Sequence, residues 1–277
     1  MTFTYSKGVC KLNSPITIGS EVINERHWIE VSNGVLKVDL APLPGLHIES
    51  LEESLKDFKS QKFLTPSALF VKECFDIFTS IMSVEVDSNS LQFIDLEQNP
   101  SSIASSLEEN QIYKIKIGRN DLYKESSWLK DFIKNLPKNT QLRLDGNRNF
   151  TAATLNSYLD LMDLEKIQYL EEPLKDVMSW TELERRDELS LALDENIALR
   201  RSLDFAKYLV AKPTFNISLR ETLRELALEN QEVIVSNAFD PPNNINILKM
   251  IASEGDQVCG LDTLKYFNLD SLKVSPL

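Results

Sequence analysis

Cysteine and histidine are scarce in this chain, and their scarcity excludes several kinds of site. The three cysteines, Cys10, Cys74 and Cys259, are far apart and form no C-x-x-C pair. We therefore expect neither a disulfide framework nor a thiolate zinc site. The two histidines, His27 and His47, lie near the N-terminal end, so the rest of the chain has no His–Asp pair to act as a base.

Basic residues, long apolar runs and glycine-rich phosphate motifs are also lacking. The 30 Lys and Arg against 42 Asp and Glu give a formal net charge of -12, which repels nucleic acid and anionic lipid. No run approaches the ~20 apolar residues of a membrane span, and the N-terminus has no signal-peptide core. We expect a cytoplasmic protein with no nucleic-acid or membrane partner. The oligomeric state stays open, and a monomer is compatible with the sequence.

The first 88 residues predict a small α+β capping domain. A hairpin is expected over residues 27–41 with its turn at Asn33-Gly34, followed by a helix from Ser50 and another that begins at Thr65-Pro66. The C-terminal tail, residues 264–277, is expected to pack back on this domain.

Residues 89–263 alternate short apolar strands with amphipathic helices, which is typical of repeated βα units. Ser126 and Ser218 are the expected N-caps of two of these helices. Eight repeats predict an α/β protein whose catalytic domain is a (β/α)8-type barrel. The predicted strands are Leu91–Leu96, Tyr113–Ile117, Gln141–Asp145, Gln168–Glu172, Leu191–Glu195, Tyr208–Pro213, Val233–Ala238 and Gln257–Leu261.

Ionisable residues stand at the same end of five successive predicted strands, where buried strands should be apolar. Three carboxylates, Asp145, Glu171 and Asp194, belong to three adjacent strands. If they share the inward face of a barrel, they need a cation among them. Oxygen ligands favour Mg²⁺ or a similar hard ion such as Mn²⁺.

Lysines flank these carboxylates on both sides of the predicted barrel. Lys114 and Lys116 share one strand face, and Lys212 reaches the centre from another strand. A substrate carboxylate bound to the metal has its α-proton acidified, so Lys116 is a candidate base and Lys212 a second catalytic lysine. The predicted chemistry is proton abstraction next to the carboxylate of a small molecule. Each motif alone is weak, since a K-x-K is more often a solvated strand edge, and only their order and spacing support this interpretation.

The motif series resembles the enolase superfamily, its muconate-lactonizing branch, and within that branch the o-succinylbenzoate synthase family. Most of the chain takes part, and the segments that carry the resemblance are Ala41–His47, Lys114-Ile115-Lys116, Leu142–Arg148, Leu170–Pro173, Leu193–Glu195, Ala211–Thr214, Ile234–Ser236 and Gly260–Thr263.

The resemblance implies roles for individual residues. Asp145, Glu171 and Asp194 would hold Mg²⁺, Lys116 would be the base, and Lys212 would stabilise the enediolate by its charge. It also implies further substrate-binding positions: Lys114 and Arg143 near the substrate carboxylate, and Ser236 and Gly260 along the succinyl arm. A cap loop near residues 18–25 would close over the barrel.

The implied reaction is the dehydration of 2-succinyl-6-hydroxy-2,4-cyclohexadiene-1-carboxylate to 2-succinylbenzoate in menaquinone biosynthesis. Two alternatives remain open. The same machinery would suit an N-acylamino acid racemase or dipeptide epimerase, although such epimerases carry Asp-x-Asp where this chain has Gly260-Leu261-Asp262. The other alternative is a barrel without catalytic activity.

Overall fold

The computed structural model describes residues 2–92, 94–160, 162–228 and 230–277. The chain divides into two units: residues up to 87 together with 211–277 form unit 1, and residues 88–210 form unit 2. The first boundary lies next to the predicted end of the capping domain. Residues 211–263, which we assigned to the catalytic domain, cluster with the N-terminal residues.

Eleven strands and seven α-helices are defined in the described residues. The strands are β1 (Thr4–Ile18), β2 (Glu21–Ser32), β3 (Lys37–Leu40), β4 (Ser90–Gln92), β5 (Ile112–Lys116), β6 (Gln141–Asp145), β7 (Ile167–Glu171), β8 (Leu191–Leu193), β9 (Tyr208–Ala211), β10 (Glu232–Val235) and β11 (Lys273–Pro276). The helices are α1 (Leu51–Lys59), α2 (Pro66–Ile77), α3 (Pro100–Ser105), α4 (Leu122–Lys134), α5 (Ala152–Leu159), α6 (Leu219–Leu228) and α7 (Pro242–Ala252).

An antiparallel sheet with the order β11-β1-β2-β3 is the main strand assembly of unit 1. The predicted turn between β2 and β3 is confirmed: Asn33 Oδ1 accepts from the amides of Val35 and Leu36, and Gly34 has φ +90°. A positive φ of this size is easily adopted only by glycine. The tail strand β11 pairs with β1, whose long hairpin with β2 was not predicted.

Helices α1 and α2 begin where the sequence indicates. Ser50 forms a capping box with Glu53, and Thr65 caps α2 ahead of Pro66 at the first helical position. Their apolar faces join the core of unit 1, in which β2 and β3 share buried side chains with α2, α6 and α7. Members of this core include Val31, Val38, Leu40, Phe70, Val71, Leu219, Ile245 and Leu248.

Six parallel strands, β4 to β9, form the sheet of unit 2 by pairing in chain order. They match six predicted strands, of which Gln141–Asp145 has the predicted bounds and the other five are shifted. The first is only Ser90–Gln92, and the predicted residue Phe93 lies outside the described residues. The predicted strand Gln257–Leu261 is reduced to an isolated bridge between Gly260 and Ser236. The mixed α/β class with a parallel sheet is confirmed, while the closed barrel and its cap stay predictions.

One predicted helix cap is wrong and the other is confirmed. Asp121 caps α4, because the helix begins earlier than the sequence pattern indicated, and Ser126 instead donates its hydroxyl to the Tyr158 carbonyl. Ser218 accepts from the amide of Glu221 in the first turn of α6. No helix in the described part of the chain is long and apolar enough to cross a bilayer.

Candidate active site

The parallel register of unit 2 brings the predicted site residues of three strands to one sheet edge. Lys116 of β5 is the register partner of Asp145 in β6, and Asp145 is the partner of Glu171 in β7. Since carboxyl ends of parallel strands meet at the same edge, the three side chains are neighbours. Asp145 and Glu171 are only 2% and 1% exposed, which makes their negative charges costly unless a cation is near.

The ammonium group of Lys114 supplies that cation. Its Nζ lies 2.7 Å from Glu171 Oε1 and 3.1 Å from Asp145 Oδ2. Burial works to lower the pKa of Lys114, but Asp145 and Glu171, together with Tyr169 and Asp194, outweigh it and raise the pKa well above its ordinary value. Lys114 is therefore positively charged and acts as a counter-ion to the carboxylates.

Lys116, the predicted base, reaches the same carboxylate from the end of β5. Its Nζ is 3.4 Å from Asp145 Oδ2 and donates to Asn147 Oδ1 at 3.0 Å. Asn147 has φ +42° and its amide donates to Asp145 Oδ1 at 3.2 Å. The turn after β6 therefore holds both the carboxylate and the amine.

Arg143 lies beneath this edge and is completely buried. Its Nε donates to Gln168 Oε1 at 2.7 Å, and one terminal nitrogen donates to Asn89 Oδ1 at 2.9 Å. The guanidinium also lies 5.2 Å from the centre of the Tyr169 ring. Burial, the largest cause, raises the pKa of Tyr169, so this phenol stays neutral. Gln168 and Asn89 help to hold Arg143, which adds positive charge under the carboxylates.

Asp194 follows β8 directly and is 2% exposed. Its backbone amide donates to Glu172 Oε1 at 3.0 Å, and its carbonyl accepts from the Ile197 amide at 3.1 Å. Its charge also raises the pKa of Lys114. Asp194 thus belongs to the same electrostatic cluster as Asp145 and Glu171.

The donor chemistry of this cluster suits a hard divalent cation, although its side chains gather around a lysine. The predicted ligands are all buried carboxylates, the type that Mg²⁺ prefers. Within the described residues, however, no three His, Cys, Asp or Glu side chains are close enough to hold a metal ion together. Asp145 and Glu171 are instead drawn to the ammonium of Lys114. The residues fit a cation at this edge, and Lys114 already supplies one.

Three other predicted residues lie in unit 1. Lys212 follows β9 and is half-buried; its amide donates to Asn216 Oδ1 at 2.8 Å. The Ser236 hydroxyl donates to the Gly260 carbonyl at 3.3 Å, and Asn237 Nδ2 donates to the same oxygen at 2.7 Å. Their substrate contacts stay predictions.

Sequence reasoning missed several residues that hold the site. Asn147 and Glu172 lie inside the segments Leu142–Arg148 and Leu170–Pro173 that carry the resemblance, and Gln168 begins a predicted strand, but the sequence predicts no site role for them or for Asn89. A signal was available for Glu172, because a second acid beside a predicted ligand in a buried segment needs hydrogen-bond donors.

Comparison with known proteins supports the predicted resemblance. The o-succinylbenzoate synthase of Pectobacterium atrosepticum is 24% identical, in an alignment that covers 82% of this chain and 77% of that protein. The relative from Haemophilus influenzae with the same name is also 24% identical, with 86% and 81% covered. No protein-family model matches the chain.

A solved structure shares the fold along almost the whole chain. The o-succinylbenzoate synthase of Thermosynechococcus elongatus, complexed with Mg in its active site, has a TM-score of 0.74 and 18% identity, with 96% of this chain and 94% of that chain covered. The chain therefore resembles these synthases in sequence and this one in fold.

Proposed function

We propose that the chain is an o-succinylbenzoate synthase, a lyase that dehydrates 2-succinyl-6-hydroxy-2,4-cyclohexadiene-1-carboxylate to 2-succinylbenzoate in menaquinone biosynthesis. The observation that carries the proposal is the cluster at the edge of the unit 2 sheet. Lys116 lies 3.4 Å from the buried carboxylate of Asp145, which Lys114 joins to Glu171. An amine beside paired acids is the equipment for removing a proton next to a carboxylate.

Asp145, Glu171 and Asp194 are the residues that would hold Mg²⁺, with Mn²⁺ as the alternative. When bound, the ion stabilises the negative charge that develops on the substrate carboxylate as its α-proton leaves. The three side chains are acceptor-only when ionised and are buried, so they need a cation in every state of the enzyme.

Lys116 is the catalytic base and then the acid. The Lys116 side chain takes the proton from the ring carbon that bears the carboxylate, and the electron pair of that C–H bond remains on the substrate. The C–O bond at the neighbouring carbon then breaks, and the ammonium of Lys116 returns the proton to the departing hydroxide as water. Because both steps use one amine, elimination is syn, and the ring gains its third double bond. Asn147 Oδ1 accepts from Lys116 at 3.0 Å and holds it in place.

The remaining site residues bind the substrate. Lys114 and Arg143 add positive charge near the substrate carboxylate, which suits an anionic ligand. Lys212 is assigned as the second catalytic lysine, and Ser236 and Gly260 as contacts of the succinyl arm, on the sequence pattern alone.

A direct assay tests the proposal. Consumption of the cyclohexadiene, followed by ultraviolet absorbance, should require a divalent ion and stop on addition of EDTA. Lys116→Ala should abolish turnover, whereas Lys130→Ala, an exposed lysine of α4, is the matched control. Near-normal turnover by Lys116→Ala would refute the assignment of the base.

Racemisation is a second candidate, because a substrate-liganded L-Ala-D/L-Glu epimerase from Bacillus subtilis shares the fold with a TM-score of 0.73 at 12% identity, with 100% of this chain and 96% of that chain covered. Incubation of N-succinyl amino acids or dipeptides in D₂O separates the two. The dehydratase predicts little deuterium at the α-carbon, and rapid exchange without cyclohexadiene turnover would favour the racemase or epimerase. If no turnover of these substrates is detected and EDTA leaves the melting temperature unchanged, the non-catalytic alternative gains support.

A further inference from the structure

Glu172 is a buried acid of unit 2 that the proposed chemistry does not use. It follows Glu171 directly and is 1% exposed. Its Oε1 accepts from the backbone amides of Asp194 and Asn196 at 3.0 and 2.9 Å, and its Oε2 accepts from Asn196 Nδ2 at 2.8 Å. Both oxygens are therefore engaged by the loop after β8, residues 194–196.

The backbone of Glu172 is held as firmly as its side chain. Its amide donates to the Ala192 carbonyl at 3.0 Å, and its own carbonyl accepts from the Arg148 amide in the turn after β6. Its φ is +37°, a left-handed conformation that non-glycine residues seldom adopt. Such strain persists only where the surroundings impose it, and it concentrates at functional sites.

The consequence is a rigid link among the three predicted metal ligands. Glu172 is bonded covalently to Glu171, its carbonyl is tied to the turn that follows Asp145, and its carboxylate fixes the amide of Asp194. A charged acceptor binds amide donors more strongly than a neutral one. Asp194 directly follows the short strand β8, Leu191–Leu193.

We propose that Glu172 is a positioning residue, which orients the loop 194–196 so that the Asp194 carboxylate can bind the divalent ion together with Asp145 and Glu171. Glu172 is not assigned as a ligand of the ion, because both of its oxygens accept hydrogen bonds from the loop. The inference rests on the proposed function, because it takes Asp194 as a metal ligand. Residues that orient a metal ligand affect metal affinity by about 10- to 100-fold.

The test measures Mn²⁺ binding to the full-length chain by electron paramagnetic resonance, without substrate. Glu172→Ala should weaken Mn²⁺ binding about tenfold or more. Glu172→Gln keeps the oxygen that accepts from the two amides and should lose less affinity. The matched control is Glu125→Gln, another buried glutamate of unit 2 that accepts backbone amides but from residues 118–120, which hold no predicted ligand. Melting temperatures in EDTA report on folding separately.

The outcomes are distinct. If Glu172→Ala fails to fold, the Mn²⁺ affinity of Glu172→Gln tests the inference alone, and a weaker affinity than that of wild type supports it. Unchanged Mn²⁺ affinity in the folded Glu172 variants overturns the inference, and so does an equal loss in Glu125→Gln. If the wild-type chain itself binds no Mn²⁺, the proposed metal centre fails, and the inference fails with it for that separate reason.

Discussion

Glu30 and Asp39 lie directly opposite each other in β2 and β3, and one amide nitrogen of Asn243 donates to both carboxylates, at 3.2 and 3.1 Å. Lys37 pairs with Glu30 at 2.9 Å. Burial, reinforced by Glu30 and Asp240, raises the pKa of Asp39 to about 7, although the Asn243 hydrogen bond and Lys37 act in the opposite direction. Like charges placed opposite each other in a sheet are destabilising, so a proton on Asp39 relieves the pair.

Asp39→Asn should therefore change how the stability of the protein depends on pH. The ordinary pKa of 3.8 lies below that of the folded state, so protonation stabilises the fold fully below about pH 4, and this stability is lost as pH rises through about 7. The neutral variant should remove that loss, which is on the order of a few kcal/mol. Urea unfolding at about pH 5 and about pH 8.5 should show the variant more stable than wild type by a larger margin at the higher pH. Asp131→Asn, an exposed change in α4, is the control, and an equal difference at both pH values would contradict the prediction.

Lys114→Met should make folding more dependent on divalent ions. Removal of the ammonium leaves Asp145 and Glu171 buried without their main counter-ion, and loss of one partner of a buried pair costs about 3 kcal/mol or more. Saturating Mn²⁺ should then raise the melting temperature more in the variant than in wild type. Lys130→Met serves as control. An equal rise in melting temperature with Mn²⁺ in both proteins would show that Mn²⁺ does not compensate for the loss of the Lys114 ammonium.

Tyr158→Phe should weaken the hydrogen-bond network by which Glu125 holds residues 118–120, the loop after β5. The Tyr158 hydroxyl donates to Glu125 Oε1 at 2.7 Å, and the same carboxylate accepts from the amides of Gly118, Arg119 and Asn120. Loss of one hydrogen bond to a charged group lowers the free energy of unfolding by about 1.5–3 kcal/mol, and Glu125→Ala should cost more. Chemical denaturation measures both, and a larger loss in Tyr158→Phe would contradict this order.

Gly260→Ala should raise the KM for the succinyl substrate and cost some stability. An added Cβ would lie 2.8 Å from Ser236 Oγ and 3.3 Å from Ser236 Cβ, and overpacking costs about 1–3 kcal/mol. In a Ser236→Ala background the closer clash is absent, so the same change should cost less. A double-mutant cycle by thermal unfolding measures this coupling, and additive effects would exclude direct contact as the cause.

The core of the candidate site was predictable because it depends on strand alternation and parallel register. Lys114 and Lys116 share a face, as expected, and the order of strands places Asp145 beside Glu171. The helix starts at Ser50 and Thr65 were equally accessible, since capping is decided by a few neighbouring residues.

Features that depend on distant contacts were beyond the sequence pattern. Residues 211–263 read as further βα units, yet they cluster with the N-terminal residues, where α7 provides Asn244 to the backbone of Asp39. The positive φ of Glu172 also leaves no trace in an acid-acid-proline motif. The expected strand Gln257–Leu261 is reduced to one bridge, between Gly260 and Ser236.

At Glu172 the backbone conformation and the side chain have opposite effects on stability. Glycine would adopt φ +37° without a steric penalty, but it would leave the amides of Asp194 and Asn196 without their buried acceptor. A more relaxed backbone would thus come with a less ordered loop around Asp194. Screens for robust versions of this protein therefore need to score turnover alongside melting.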